Sequence, residues 1–256
     1  MKKNYKFLLI TPSFKRPYML RNCVMNSVNQ TYTNFCHSIV INQEEDQEYN
    51  YEFLLDDVIK KTENVYNYED PFMIPEYVVN YKINEDQHLN YISTITYIIK
   101  QRPEIYNTID YILKWDDDEI HKANFLKSIN DFINNNPGYH IYSSKLSTQL
   151  NNYHFTAEGS FGNLGGVPED IDIGHPATMA FDKIAAEMIL LTPNDKNYWE
   201  LRGGGTWEDT AWLNYWNKHN LKFKCNHTPN PNYIWHIHGG RGPGAGNVSI
   251  SNWVRD

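Results

Sequence analysis

The sequence predicts an α/β fold in one domain, a mostly parallel central sheet flanked by helices, and three observations predict it. Apolar runs of strand length alternate with segments whose apolar residues recur at helical spacing. Those runs end in polar or acidic residues, as the ligand-facing ends of parallel strands do. No internal repeat and no clean linker divides the 256 residues, which are enough for one large core.

The elements follow in order. Lys6–Ile10 reads as a buried first strand that stops in a turn, Thr11-Pro12-Ser13-Phe14-Lys15-Arg16-Pro17. Pro17 suits the first turn of a helix whose face carries Leu20, Cys23, Val24, Ser27 and Val28. Ser38–Asn42 is the second strand and ends in the acidic Gln43-Glu44-Glu45-Asp46. Between Tyr49 and Pro75 the pattern weakens to a helix with irregular flanks, and Tyr77–Tyr81 gives a third strand. Leu89, Ile92, Ile95, Ile98 and Ile99 mark a helix ending near Arg102-Pro103, and Tyr111–Trp115 is the fourth strand. Phe125, Ile129, Phe132 and Ile133 form another helical face, followed by a strand over Tyr139–Ser143. The polar, glycine-rich stretch Lys145–Pro176 is too long for a plain connection and reads as a functional loop. Regular structure resumes over Ala177–Phe181 and in a helix over Lys183–Leu191. A helix with Ala211, Trp212, Tyr215 and Trp216 on its apolar face follows, then strands over Leu221–Cys225 and Tyr233–His238 and a loose tail.

Composition narrows the function. A net charge of -8 argues against indiscriminate binding to nucleic-acid backbone. No apolar run is long enough to cross a bilayer and the N-terminus has no secretory pattern, so the chain reads as cytoplasmic. Cys23, Cys36 and Cys225 are scattered and suggest reduced packing residues, not disulfides or a thiolate zinc site. The 19 tyrosines, seven tryptophans and 11 phenylalanines are core material that can also stack on bases or sugar rings. No obligate protein partner is evident.

The chemistry concentrates where the fourth strand ends, in Trp115-Asp116-Asp117-Asp118-Glu119. Adjacent carboxylates repel unless a cation neutralises them, and hard oxygens suit Mn²⁺ or Mg²⁺. In an extended chain Asp116 and Asp118 share a side and Asp117 is the spectator. The plainer reading is an acidic cap on the helix starting near Asn124. Leu201-Arg202-Gly203-Gly204-Gly205-Thr206-Trp207-Glu208-Asp209 delivers two carboxylates to a helix start, as a cap or as catalytic groups. Alternation in Ile234-Trp235-His236-Ile237-His238 places both histidines on one face, as metal ligands or as packing residues. Lys15 and Arg16 on the first loop, and Arg241 in the glycine-rich tail, are phosphate-binding candidates or surface cations.

This order of motifs resembles the nucleotide-sugar glycosyltransferases of the GT-A fold, family-2 type. Phe7–Pro17 resembles the family's opening strand and donor loop, and Ser27–Phe35 the segment before its second strand. Asp116-Asp117-Asp118 matches its Asp-x-Asp element and Glu208-Asp209 its later Glu-Asp pair. The resemblance implies a Rossmann-like GT-A domain with a donor-nucleotide half, 1–120, and an acceptor half, 121–256, ending in a metal-ligand and lid segment. It implies metal-dependent transfer from a nucleoside-diphosphate sugar to an acceptor hydroxyl, inverting, with Asp209 as base beside Glu208. Donor contacts would come from Thr11, Pro12, Ser13, Arg16, Glu44, Asp116, Asp117 and Arg241. The metal, Mn²⁺ or Mg²⁺, would be held by Asp116, Asp118, and His236 or His238. The family's second strand usually ends in an Asp that reads the base; here Asn42-Gln43-Glu44-Glu45-Asp46 stands there. The acceptor is a saccharide, a lipid-linked molecule or a modified DNA base, as in phage-type enzymes. Retaining transfer, nucleotidyl transfer and a non-catalytic carbohydrate-binding module remain the alternatives.

Overall fold

Burial on both faces places the first strand, β1 (Phe7–Phe14), in the middle of the sheet. Phe7 and Leu9 face one helical layer, Leu8 and Ile10 the other, and none is more than 1% exposed. A strand with no solvent face needs the unbroken apolar run seen here. The computed structural model describes residues 2–14, 16–43, 76–83, 87–151, 154–157, 170–191 and 208–237.

The other strands are β2 (Phe35–Gln43), β3 (Glu76–Ile83), β4 (Tyr111–Lys114), β5 (Ile120–His121), β6 (Ile141–Asn151), β7 (His154–Ala157), β8 (Ala180–Asp182) and β9 (Phe223–Ile237). The sheet order is β3-β2-β1-β4-β8-β6-β9-β5, with β7 on β6. β1, β2, β3 and β4 are mutually parallel, and β6 and β9 run the same way. β5, β7 and β8 run against them. The sheet is therefore mostly parallel, as expected.

Two helical layers cover it. On one face α1 (Pro17–Val28) packs Leu20, Val24 and Val28 on Ile39 and Ile41, while α4 (Phe125–Asn135) brings Phe125, Ile129 and Ile133 to Leu113 and Trp115. On the other lie α2 (Gln87–Gln101), α3 (Pro103–Thr108), α5 (Lys183–Leu191) and α6 (Glu208–Lys218), whose Tyr91, Ile95, Ile105, Ala185, Trp212 and Trp216 bury Ile10, Ile112 and Phe181. The chain moves outward from β1 to β3 and returns to β4 on the other side of β1. A crevice between β1 and β4 at their carboxyl ends is the consequence.

Several boundaries differ from expectation. β1 continues through Thr11-Pro12-Ser13-Phe14, expected as a turn, because parallel pairing with β2 carries on to Phe14 opposite Asn42. Pro12 lies on the same edge as Ile10, whose carbonyl accepts from Trp115, and β4 has ended by then, so no ladder donor is missed. The expected loop from Lys145 instead continues β6 to Asn151 and pairs back with β7. The two strands expected near 221–238 are one long β9, whose register on β6 shifts at Ser144/Leu146 and Leu146/Thr148. The acidic stretch does not cap α4, which has no acidic residue in its first turn. The helix expected between Tyr49 and Pro75 and the glycines at 159–166 lie outside the described residues. Cys23, Cys36 and Cys225 are buried and form no disulfide.

Candidate active site

β4 stops at Lys114 because the next residues turn. Trp115 still donates its N–H to Ile10 O at 3.0 Å, and Glu119 N–H closes the turn on Asp116 O at 3.3 Å. The fully buried Trp115 ring stacks on His121, centroids 3.7 Å apart, and its Nε1 donates to Cys23 O at 3.3 Å. The acidic residues therefore project from an anchored point. In a turn, strand alternation no longer applies, so the expected shared side for Asp116 and Asp118 is not what brings them to the crevice. Asp116 meets Lys114, and Asp117 and Asp118 share Arg16.

On the β1 side, Ser13 Oγ donates to Asp117 Oδ2 at 2.6 Å. Arg16 Nη1 donates to Asp117 Oδ1 at 3.1 Å and to Asp118 Oδ2 at 2.9 Å. Asp117, the expected spectator, is the most enclosed of the three, its side chain 4% exposed against 22% for Asp118. Burial pushes the Asp117 carboxyl up to about 7, and Arg16 opposes the rise. Thr11, also fully buried, hydrogen-bonds His37 Nε2 at 2.8 Å and donates to Trp115 O. Its hydroxyl thus ties β1 to the end of β4 from beneath the crevice, a supporting place for a residue expected at the donor. Pro12 is buried beside it. Burial holds His37 and His121 neutral, with pKa values lowered to about 3.

On the α6 side, Lys114 Nζ donates to Asp209 Oδ1 at 2.5 Å and lies 3.7 Å from Asp116 Oδ2. Its side chain is 2% exposed, while Asp116 and Asp209 are each 15% exposed. Tyr91 OH donates to Asp116 Oδ1. The rings of Tyr91 and Trp212 lie 5.1 and 5.8 Å from the ammonium. Asp209 sits in the first turn of α6, whose first residue is Glu208, so the helix start expected for this pair is present. Behind this group His175 accepts from Ala177 N at 3.3 Å, and burial first, then Lys114, lowers its pKa to about 3. His175 N donates to Ser144 O at 2.9 Å, and the same close approach requires glycine at 174, where a Cβ would stand 2.4 Å from Ser144 O.

The structure thus brings together Ser13, Arg16, Asp116, Asp117, Asp118 and Asp209. His236 is a β9 residue opposite Leu150. Glu44, His238 and Arg241, like Lys15, lie outside the described residues. Lys114 and Tyr91 went unmarked by any motif. Lys114 carried a signal nonetheless, since a cation inside Tyr-Ile-Leu-Lys-Trp must find a carboxylate if the strand is buried. Tyr91 gave none.

Among the described residues one trio of unlike ligands, Asp172, Cys225 and His227, has its ligand atoms within 4.8 Å of one another. Its carboxylate is already engaged by Lys224 at 3.1 Å and His227 at 2.8 Å, and burial pushes the Cys225 thiol up to about 11. That is an ion pair beside a protonated thiol.

No protein-family profile matches the chain, and no curated protein sequence does. Solved structures do. A mannosyltransferase, PcManGT from Pyrobaculum calidifontis, in complex with GDP-Man and Mn²⁺, is 10% identical, with a TM-score of 0.53 over 98% of this chain and 64% of that one. S. aureus TarS 1–349 in complex with UDP-GlcNAc is 13% identical, with a TM-score of 0.50 over 92% of this chain and 60% of that one. The chain thus spans about six tenths of the length of these structures. No helix among the described residues is long and apolar enough to cross a membrane. At such identities the likeness is one of architecture alone: the chain shares the fold of these two structures, and its acidic crevice lies at the β1/β4 switch point.

Proposed function

We propose that the protein moves a sugar from a nucleoside-diphosphate sugar to an acceptor hydroxyl, inverting the anomeric carbon. The observation that carries this reading is the convergence of Asp116, from the turn after β4, and Asp209, from α6, on Lys114 at the switch-point crevice of a fold shared with a mannosyltransferase. Residues 1–120 would hold the donor and 121–256 the acceptor.

Asp209 would accept the hydroxyl proton as the acceptor oxygen bonds to the anomeric carbon and the nucleoside diphosphate departs with the electron pair. Glu208, beside it at the helix start, supports the acceptor side. Arg16, with Arg241 from the C-terminal segment, would face the diphosphate. Thr11, Pro12 and Ser13, at the end of β1, would lie beneath the donor, Asp117 would fix Arg16, and Glu44, next in sequence after β2, would read the base. The hard oxygens of Asp116 and Asp118, 15% and 22% exposed, fit Mn²⁺ or Mg²⁺, with His236 or His238 completing the set. When bound, the ion would offset charge developing on the leaving diphosphate. Acceptors compatible with this chemistry are a saccharide, a lipid-linked molecule or a hydroxymethylated base.

A panel of UDP- and GDP-sugars with Mn²⁺ tests the reading through thermal shift and nucleoside-diphosphate release. At least one donor should stabilise the protein and be turned over. Asp209→Asn should lower turnover by roughly 10²–10⁴-fold while keeping the donor-induced shift. Neither shift nor release with any donor would sink the reading. Pyrophosphate as product would point to nucleotidyl transfer, and a retained anomeric configuration by proton NMR would remove Asp209 as base.

A further inference from the structure

We infer that Lys114 is the positioning residue of this site, holding the general-base carboxylate of Asp209 at a fixed place relative to Asp116; the inference rests on the transferase reading above.

Three observations carry it. Lys114 is buried in a strand whose neighbours are apolar, where an ammonium is costly unless paired, and two carboxylates it meets, Asp116 and Asp209, belong to the candidate site. The two carboxylates come from elements far apart in sequence, and Lys114 joins them: Asp209 Oδ1 at 2.5 Å and Asp116 Oδ2 at 3.7 Å. The ammonium itself is walled by Tyr91 and Trp212, and with a side chain 2% exposed it does not reach a ligand in the crevice. It acts through Asp209.

The direction of the effect follows. A carboxylate in the first turn of a helix is ordinarily drawn to that helix's own N–H groups. Lys114 adds a hold on Oδ1 of Asp209 from β4, so the place of the carboxylate is set by the strand as well as by its own helix.

The test is a double-mutant cycle of Lys114→Met and Asp209→Asn on the full chain, read in two ways. By thermal melting, the double variant should lose clearly less than the sum of the two singles, which reports the contact without reference to activity. In turnover of whichever nucleotide sugar the wild type accepts, Lys114→Met should lower kcat on the order of 10²-fold, as misplacing a reacting group does. Its donor Kd should stay within about three-fold, and in the Asp209→Asn background the further loss should be less than about three-fold. Lys114→Gln, nearly the same length and still an N–H donor, keeps the test open if the Met variant does not fold, and should retain more kcat than Met with the same donor Kd. A kcat within about three-fold of wild type for Lys114→Met, or for Lys114→Gln where Met does not fold, overturns the assignment. So do full additivity with Asp209→Asn or a loss confined to donor Kd. A wild type that turns over no nucleotide sugar overturns the transferase reading itself, and the positioning role with it.

Discussion

Two cation–carboxylate groups flank the end of β4, and they are built in opposite ways. Arg16 reaches Asp117 and Asp118 from a loop with its side chain 19% exposed; Lys114 reaches Asp116 and Asp209 from inside a strand at 2%. The Arg16–Asp118 pair is open enough to change partners when a charged ligand arrives, because water and salt already weaken it, while Asp117 holds the guanidinium from its buried side. The second group is sealed by Tyr91 and Trp212, so its geometry is part of the fold. One side of the crevice is arranged to exchange charge and the other to hold it still.

Acid is the harshest test of that arrangement, because both groups rest on histidines held neutral. Burial lowers the pKa of His37 and His121, under the Arg16 side, and of His175, behind Lys114, to about 3. The unfolded chain binds a proton on each near pH 6.5 while the folded chain does not. Stability is therefore intact above pH 6.5 and falls as pH drops toward 3, by about 1.4 kcal/mol per pH unit for each histidine. The three histidines together give about 4 kcal/mol per pH unit, and proton uptake by the folded Asp117 carboxyl, pushed up to about 7, offsets about 1.4 of it between pH 6.5 and 4, so chemical denaturation at a series of pH values should show a net slope of about 3 kcal/mol per pH unit. His37→Gln, which can still bond Thr11 and Ser27, should lower the slope by about 1.4 kcal/mol per pH unit. An unchanged slope would mean that His37 takes a proton in the folded state.

A direct comparison of the two cations is expected to separate them by less. Lys114→Met leaves Asp116 and Asp209 without the ammonium between them and should cost about 3–5 kcal/mol, the usual penalty for breaking a buried pair. Arg16→Met should cost about 1–2 kcal/mol, since Asp118 is open to water and the Asp117 carboxyl, pushed up to about 7, can take a proton. Urea melts at pH 7 measure both. Equal costs would erase the distinction between the groups.

The sequence showed one of these groups far better than the other, and the reason is physical. Unbroken apolar runs such as Phe7–Ile10 and Tyr111–Leu113 are what strands buried on both faces require, so the parallel core was legible. The acidic turn and the Glu208-Asp209 helix start stood out because like charges crowded together need an explanation. Strand ends were less visible: β1 runs through a proline and β6 through polar residues, because pairing with a neighbour, which one strand's sequence does not contain, sets where each stops. Lys114 was hidden for the opposite reason. A lone lysine looks like surface until its strand is known to be buried, and its partner Asp209 lies 95 positions away.

The smallest expected effect probes the seam between the groups. Tyr91 OH donates to Asp116 Oδ1, so Asp116 carries a neutral donor on one oxygen and Lys114 near the other. Tyr91→Phe removes only the hydroxyl; the ring stays to cover the ammonium, and its edge contact with Trp212, centroids 5.3 Å apart, is kept. The net cost should be about 1 kcal/mol, because Asp116 is partly open and water can replace the lost donor. If Asp116 is a metal carboxylate, losing a competing donor should tighten Mn²⁺ binding by a factor of about two to five, as about 0.4–1 kcal/mol of competition is removed. Calorimetric titration of Mn²⁺ into both proteins reads this directly. Weaker binding in the variant would make the Tyr91 hydroxyl an aid to the metal carboxylate, holding it in its ligating rotamer, and would move Tyr91 to the same side of the comparison as Lys114.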